Sequence, residues 1–359
     1  MQNKVLIVGA SGLVGTAAAI SFARAGWPVV AASRRFPELL NDANIEFVPL
    51  DLQDKEAVSA TCRKLKGITH VVYTAVYELP GLVAGWSDPE QIQTNGQMLE
   101  NLLVPLTQSN RLQHVTLLQG TKAYGAMVGP MRVPARESQP RVEHPNFYWV
   151  QEDFLRDHAE RQDYAITILR PQMIVGPNHG VVMNLPPVVG VYAALRQEEG
   201  LPLSFPGGVN RAMEAVDARL VGDACLWAAV NDCAAGETYN LTNGEVFSWR
   251  DMWPAIAQTL EVPLGEDEPL SVADYVMQRE DLWQGILVRH DLAPNTLKQI
   301  VGESHHYADL CFALGADDAP PPIFVSTVKI HQAGFNQTYN SEESFCYWLQ
   351  DLRSRRIIP

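Results

Sequence analysis

Positive charge, cysteine and long apolar runs are all scarce in this sequence, and each shortage excludes a class of function. Lys and Arg number 27 against 41 Asp and Glu, a net charge of −14, with an isoelectric point near 5.1. Nucleic acids and anionic membranes are held by basic faces, so a chain this acidic points to a small or uncharged ligand. The five cysteines, Cys62, Cys225, Cys233, Cys311 and Cys346, are odd in number and nowhere spaced C-x-x-C. That pattern fits reduced structural thiols in the cytosol better than a disulfide framework or a zinc site, and no metal is expected. No stretch approaches a run of about 20 apolar residues, the length that spans a bilayer, and Met1-Gln2-Asn3-Lys4 leads straight into an apolar segment. A soluble, unprocessed cytoplasmic protein is therefore expected, with a homodimer allowed for.

What the chain does have is hydrophobic content, 47% of 359 residues, enough for a large core and for one nucleotide-binding domain plus a smaller lobe. Apolar runs and helical periodicity alternate along its first half. Strands are expected over residues 4–9, 28–33, 45–49, 69–73, 114–118 and 165–169, and helices over 13–25, 55–65, 89–109 and 146–161. This alternation predicts an α/β fold, a doubly wound parallel sheet of Rossmann type covered on both faces. The expected division is a dinucleotide-binding domain over 1–175, to which some later segments return, and mainly a substrate-binding lobe over 176–359. Past Arg170-Pro171 the chain reads as irregular around Pro186-Pro187 and Pro206-Gly207-Gly208, helical over 249–260, and as solvated loops over 265–269 and 317–322.

The run Val5-Leu6-Ile7-Val8-Gly9-Ala10-Ser11-Gly12-Leu13-Val14-Gly15 combines strand, glycine turn and helix start. Gly9 permits the tight turn, Gly12 lets backbone approach a pyrophosphate, Gly15 packs helix on strand, and the helix N-terminus presents unpaired N–H groups. The next strand ends in Ser33-Arg34-Arg35, where an NAD enzyme would place an acidic residue for the ribose 2′-hydroxyl. Two guanidiniums there suit a 2′-phosphate, so the cofactor read from the residues is NADP(H). Asp51 and Leu52, at the end of the third strand, are positioned to flank the adenine.

The spacing G-x-x-G-x-x-G resembles the short-chain dehydrogenase/reductase superfamily, which implies a fold of the extended type. Its catalytic helix commonly carries Tyr-x-x-x-Lys, yet here Tyr148 is followed four places on by Glu152, and Tyr192 by Arg196. A phenol acting as an acid needs a cation to lower its pKa from about 10. Lys122, just past the strand in Leu118-Gln119-Gly120-Thr121-Lys122-Ala123-Tyr124, is the candidate. Tyr148 opens the following helix in Asn146-Phe147-Tyr148-Trp149-Val150-Gln151-Glu152-Asp153, so both residues belong to the carboxyl edge of the sheet, where ligands bind.

The displaced lysine and the N-F-Y-x-x-x-E-D helix start together resemble the progesterone 5β-reductase/iridoid synthase-like enzymes. The likeness extends to Met183-Asn184-Leu185, to Tyr239-Asn240-Leu241-Thr242-Asn243-Gly244 and to the terminal Ile357-Ile358-Pro359. It implies NADPH-dependent reduction of activated C=C bonds in a small hydrophobic enone or enal, with Tyr148 and Lys122 as the catalytic pair. It also implies that Ala75, Val76, Leu118, Gln119, Ile174, Val181, Val182 and Met183 stand beside the cofactor.

The chain departs from the family at Ala123, at Trp149 and over 125–144, where Met127 or Met131 falls near a substrate-lining phenylalanine of the plant enzymes. Met183, Leu185, Pro186, Pro187, Val188, Phe205, Met213, Phe247, Trp249 and Trp283 are candidate pocket walls. Rival readings are a carbonyl reductase or sugar-nucleotide epimerase, which the missing Tyr-x-x-x-Lys counts against, and a non-catalytic NADP sensor of the NmrA type, which could dispense with Tyr148.

Overall fold

The computed structural model describes residues 3–40, 44–80, 82–126 and 128–359. Among them ten strands appear: β1 (Val5–Val8), β2 (Val29–Ser33), β3 (Ile45–Pro49), β4 (His70–Tyr73), β5 (His114–Leu118), β6 (Ala165–Pro171), β7 (Met173–Val175), β8 (Ala212–Asp217), β9 (Thr238–Leu241) and β10 (Val246–Ser248). Seven form one sheet in the order β3-β2-β1-β4-β5-β6-β9, every pair parallel. Strand order runs outward in both directions from β1, so a crevice opens between β1 and β4 at the carboxyl ends.

A parallel sheet with helices on both faces must bury its strands completely. β1, β2 and β4 are indeed buried along their whole length. Alternate side chains serve opposite cores: Val5 and Ile7 pack with α1 (Leu13–Arg24), whereas Leu6 and Val8 pack with α2 (Lys55–Lys64) and α3 (Pro89–Ser109). α4 (Phe147–Gln162) adds Leu155 and Ala159 to this second layer. Helix starts are fixed by local chemistry. Asp88 accepts from the N–H groups of Glu90 and Gln91, with Pro89 in the first turn where its missing donor costs nothing.

The structure corrects the sequence reading around Pro186-Pro187, which opens α5 (Leu185–Glu198) instead of an irregular stretch. Proline is tolerated in a first turn because those N–H groups lack helical partners anyway. From Leu185 to Arg196 every side chain of α5 is buried, so no amphipathic period marks the helix. α5 packs within the C-terminal core together with α7 (Trp249–Leu260), which follows α6 (Ala218–Val230) in the chain. There Trp249 and Trp253 stand edge-on to Phe312, with ring centroids 5.1 and 5.7 Å apart. The stretch 265–269 is not merely solvated: Glu268 pairs with the buried Arg196 at 2.7 Å, and Asp267 with Arg250 at 2.6 Å. A second sheet, β10-β8-β7, stands beside the large one.

α1 and α6 pack against each other, and Gly222 is what permits their approach. A Cβ there would lie 2.6 Å from the Ala17 carbonyl oxygen, a backbone atom with no rotamer to yield. Gly222→Ala is expected to destabilise by about 1–3 kcal/mol through overpacking. Gly285→Ala, inside a helix with open space around it, should stabilise by about 0.5–1 kcal/mol. Urea denaturation of the pair checks both signs, and equal midpoints would remove the close-packing argument.

Candidate active site

β1 runs into a turn at Gly9, whose φ of +87° favours glycine. A Cβ at Gly9 would lie 2.7 Å from Thr74 Oγ1 and 2.8 Å from the Ala75 nitrogen, so the turn is pressed against the loop after β4. Gly12 is the N-cap of α1, and a Cβ there would meet only the Gly9 carbonyl, at 3.3 Å. No side chain caps the helix and no acidic residue occupies its first turn. An open, positively polarised helix end therefore faces the crevice, as an anionic pyrophosphate requires. Gly15 stands behind the turn, its would-be Cβ only 2.2 Å from the Gly9 oxygen. Asn178 steadies the turn from the far side, donating to the Ser11 carbonyl at 3.2 Å and to Thr16 Oγ1 at 3.0 Å.

Every candidate cofactor residue except Gly15 lines one cavity of about 430 Å³ along the carboxyl ends of the strands. At one end Arg34 and Arg35 are exposed, and Ser33 Oγ donates to the Arg35 carbonyl at 2.6 Å, fixing the loop that presents them. Among the described residues neither guanidinium enters a salt bridge, which leaves both open to an anion. Asp51 and Leu52 line the same end. Val181, Val182 and Met183 close the cavity from the lobe side, held by Ser304, whose hydroxyl donates to the Val181 carbonyl at 2.7 Å. Met183 has a φ of +59°, an unfavourable conformation for a side-chain-bearing residue, of the kind that clusters at functional sites.

Tyr148 owes its place to its neighbours. Asn146 caps α4 by accepting the Tyr148 N–H at 3.1 Å, and the Phe147 ring stands edge-on to the phenol ring, centroids 4.7 Å apart. Lys122, in a short 3₁₀ turn after β5, lies with its Nζ 4.4 Å from the Trp86 ring centroid, 5.3 Å from that of Phe147 and 5.5 Å from that of Tyr148. Glu152, where lysine would be expected, is turned into the sheet instead. Its carboxylate accepts from Gln119 Nε2 at 3.0 Å and pairs with Arg156 and Arg141 at 2.9 and 3.1 Å. Arg170 supports the same cluster, donating to Gln119 Oε1 at 2.8 Å.

The electrostatics differ from the simple expectation of a lysine acidifying a tyrosine. Burial above all, with the nearby Glu78 carboxylate adding to it, holds the Tyr148 phenol well above its ordinary pKa, and Arg170 only partly opposes. Tyr148 is thus a neutral hydroxyl donor. Burial pulls the Lys122 ammonium downward while Glu78 resists. Glu78 and Trp86 belong to no motif. Only their placement after β4, beside Lys122, singles them out. For Glu152, burial would raise the pKa, but the Gln119 and Arg156 hydrogen bonds and the arginine charges outweigh it and hold the carboxyl low.

A second cavity of about 550 Å³ adjoins the first, and Gln119, Lys122, Tyr148, Ile174, Val182 and Met183 line both. Its walls include Met131, Met173, Met213 and Pro320-Pro321-Pro322, the last a stretch that reads as a solvated loop from sequence. Met127 falls outside the described residues. Of the candidate wall residues only Met183 and Met213 line this cavity. Leu185, Val188, Phe205, Trp249 and Trp283 are lobe core, Phe247 packs against it, and Pro186 and Pro187 are buried in α5.

The model of the NAD dependent epimerase/dehydratase family matches residues 5–242. The chain belongs to that family. Its fold is shared with the Bordetella bronchiseptica enzyme WbmH in complex with NAD+, at 20% identity and a TM-score of 0.67, covering 98% of this chain and 99% of that one. Within the epimerase/dehydratase family the full-length likeness is to the progesterone 5β-reductase/iridoid synthase-like enzymes. (S)-8-oxocitronellyl enol synthase of Catharanthus roseus is 29% identical over 100% of this chain and 93% of its own length. The 3-oxo-Delta(4,5)-steroid 5-beta-reductase of Arabidopsis thaliana is likewise 29% identical, over 100% and 94%.

Replacing Arg34 and Arg35 together by alanine is expected to abolish preference for NADPH over NADH, read as the ratio of kcat/KM values. An unchanged ratio would show that neither guanidinium meets a 2′-phosphate.

Proposed function

We infer that this chain is an NADPH-dependent reductase of the activated C=C bond in enones or enals, with Tyr148 and Lys122 as its working pair. The observation that carries this reading is the wall shared by the two cavities, because only a side chain there reaches both cofactor and substrate. Its polar members are Gln119, Lys122 and Tyr148. The Gln119 side chain is committed to Glu152 and Arg170. That leaves a neutral phenol and an ammonium group facing the junction. The likeness to an enol synthase and a steroid 5-beta-reductase supports the same chemistry.

The residues present fit NADP(H): an uncapped helix N-terminus for the pyrophosphate and two exposed arginines for the 2′-phosphate. When bound, NADPH supplies a hydride to the β-carbon of the substrate. Tyr148 donates a hydrogen bond to the carbonyl oxygen, on which negative charge grows as the enolate forms. A phenol with a raised pKa keeps its proton while doing so, which suits an oxyanion donor and not a base. Lys122 adds positive charge beside the same oxygen. A proton from water at the α-carbon completes the saturated carbonyl. The adjoining cavity, with its methionine and proline walls, suits a hydrophobic substrate.

Tyr148→Phe is expected to lower NADPH turnover with cyclohexenone or progesterone by about 10²–10³ while leaving cofactor affinity intact, with chromatography of the wild-type product showing the saturated ketone. Undiminished turnover in the variant, or an allylic alcohol as wild-type product, would overturn the reading.

A further inference from the structure

The second cavity holds a group that reduction at Tyr148 does not use. Glu214, on β8, is the one acidic side chain among the described residues that line it. It sits on a rigid support, since β8 pairs with β7 through Met173 and Ala215 on one side and with β10 through Val246 and Glu214 itself on the other. One oxygen, Oε2, accepts the Val325 N–H at 2.9 Å, and the carboxyl also accepts from the Gln172 side-chain amide. Among the described residues no cation pairs with it. Arg211, just before the strand, donates instead to the Leu310 and Cys311 carbonyls at 2.9 and 3.1 Å.

An ionisable group in a wall of Met131, Met173 and Met213 carries a desolvation cost that no salt bridge offsets. A structural role, tying the Val325 segment to β8, needs only one acceptor atom, and glutamine would supply it. A carboxyl that accepts from the Val325 N–H and the Gln172 amide still has acceptor sites to spare. Burial, the largest influence on it, pushes its pKa up to about 7, so near neutrality both forms are populated. A hydroxyl suits both, donating to the carboxylate and accepting from the acid. An amine suits only the ionised form, and a second carboxylate would be repelled by it.

We propose that Glu214 is a specificity residue that receives a hydroxyl carried by the substrate away from its reacting carbonyl, so that the preferred substrates are hydroxylated enones or enals. The proposal rests on the reading of Tyr148 and Lys122 as the reducing end of the cavity.

The test compares α,β-unsaturated aldehydes of graded chain length, each with and without a terminal hydroxyl, under NADPH. At the best-fitting length wild type should favour the hydroxylated member by about ten- to hundredfold in kcat/KM, the worth of a hydrogen bond to a charged group. Glu214→Leu should remove that preference, and Glu214→Gln, which still accepts from Val325, should reduce it by a smaller factor. The ratio of the two substrates is the readout, so any common loss from altered folding cancels. Equal rates for both members at every length, or a ratio untouched in both variants, would overturn the proposal. Calorimetric binding of the matching saturated hydroxyaldehyde and aldehyde to the NADP+-loaded protein gives a second reading of the same ratio. If no aldehyde is reduced, the assignment of the reaction falls, and the binding ratio still decides the role of Glu214.

Discussion

A buried carboxylate must be met by donors, and the way Glu152 meets this demand fixes the rest of the site. Its carboxylate gathers Gln119 from the loop after β5, Arg170 from β6, Arg156 from its own helix and Arg141 from the preceding loop. The first turns of α4 are thereby locked against two strands, and Tyr148, one helical turn before Glu152, is locked with them. Breaking such a cluster by removing one partner is costly, because a buried charge is left uncompensated. The position that supplies a cation in a Tyr-x-x-x-Lys enzyme supplies an anchor here. A lysine at 152 would face three guanidiniums, so the cation at the junction has to come from another segment, and the loop carrying Lys122 brings it.

The consequence is a division of charge between two neighbouring but separate settings. The guanidiniums that satisfy Glu152 are on the protein side of Tyr148, and Arg170 is the one that moderates the phenol. Lys122 occupies the cavity side, over the Trp86 ring and under the influence of Glu78. Glu78 is itself held by Gln91, which donates from Nε2 at 2.8 Å and accepts the Leu79 N–H at 2.8 Å. Burial raises the Glu78 pKa and the Lys122 charge opposes that rise, so each member of this pair favours the ionised form of the other. The phenol receives little acidification in the absence of ligands. A donor of this kind is worth most when charge develops on its partner during reaction, since a fixed hydroxyl in a site shielded from water needs no reorganisation.

How much of this was legible from the sequence follows from how local each feature is. The glycine turn and the strand–helix alternation are written in consecutive residues, and helices 89–109 and 249–260 have the bounds their patterns suggest. α5 escaped because burial on all sides erases periodicity and because its two prolines read as breakers until their place in the first turn is known. β7 and β10, three residues each, are too short for an alternating pattern to register. Asn178, Trp86, Glu78 and Glu214 became visible only through tertiary placement. Nothing in their immediate neighbours distinguishes them from loop or strand residues that face solvent.

The small sheet explains why one chain segment can serve two cavities. β6 ends at Pro171 in the large sheet, and β7 begins at Met173 in the small one, so the chain changes sheets across Gln172. Gln172 bonds from Nε2 to the Ile323 carbonyl at 2.6 Å and, as a backbone donor, to the Leu241 carbonyl at 3.0 Å, tying the crossover to β9 and to the 320–325 stretch at once. Just past this crossover Ile174 lines both cavities, while Met173, and Glu214 on the neighbouring β8, line the second alone. β7 and β8 thus fix the part of the wall that carries Met173 and Glu214, and strands hold side chains to tighter positions than loops do. In the proposed reading a substrate would be measured along its length, its carbonyl at the junction and its remote end beside β8.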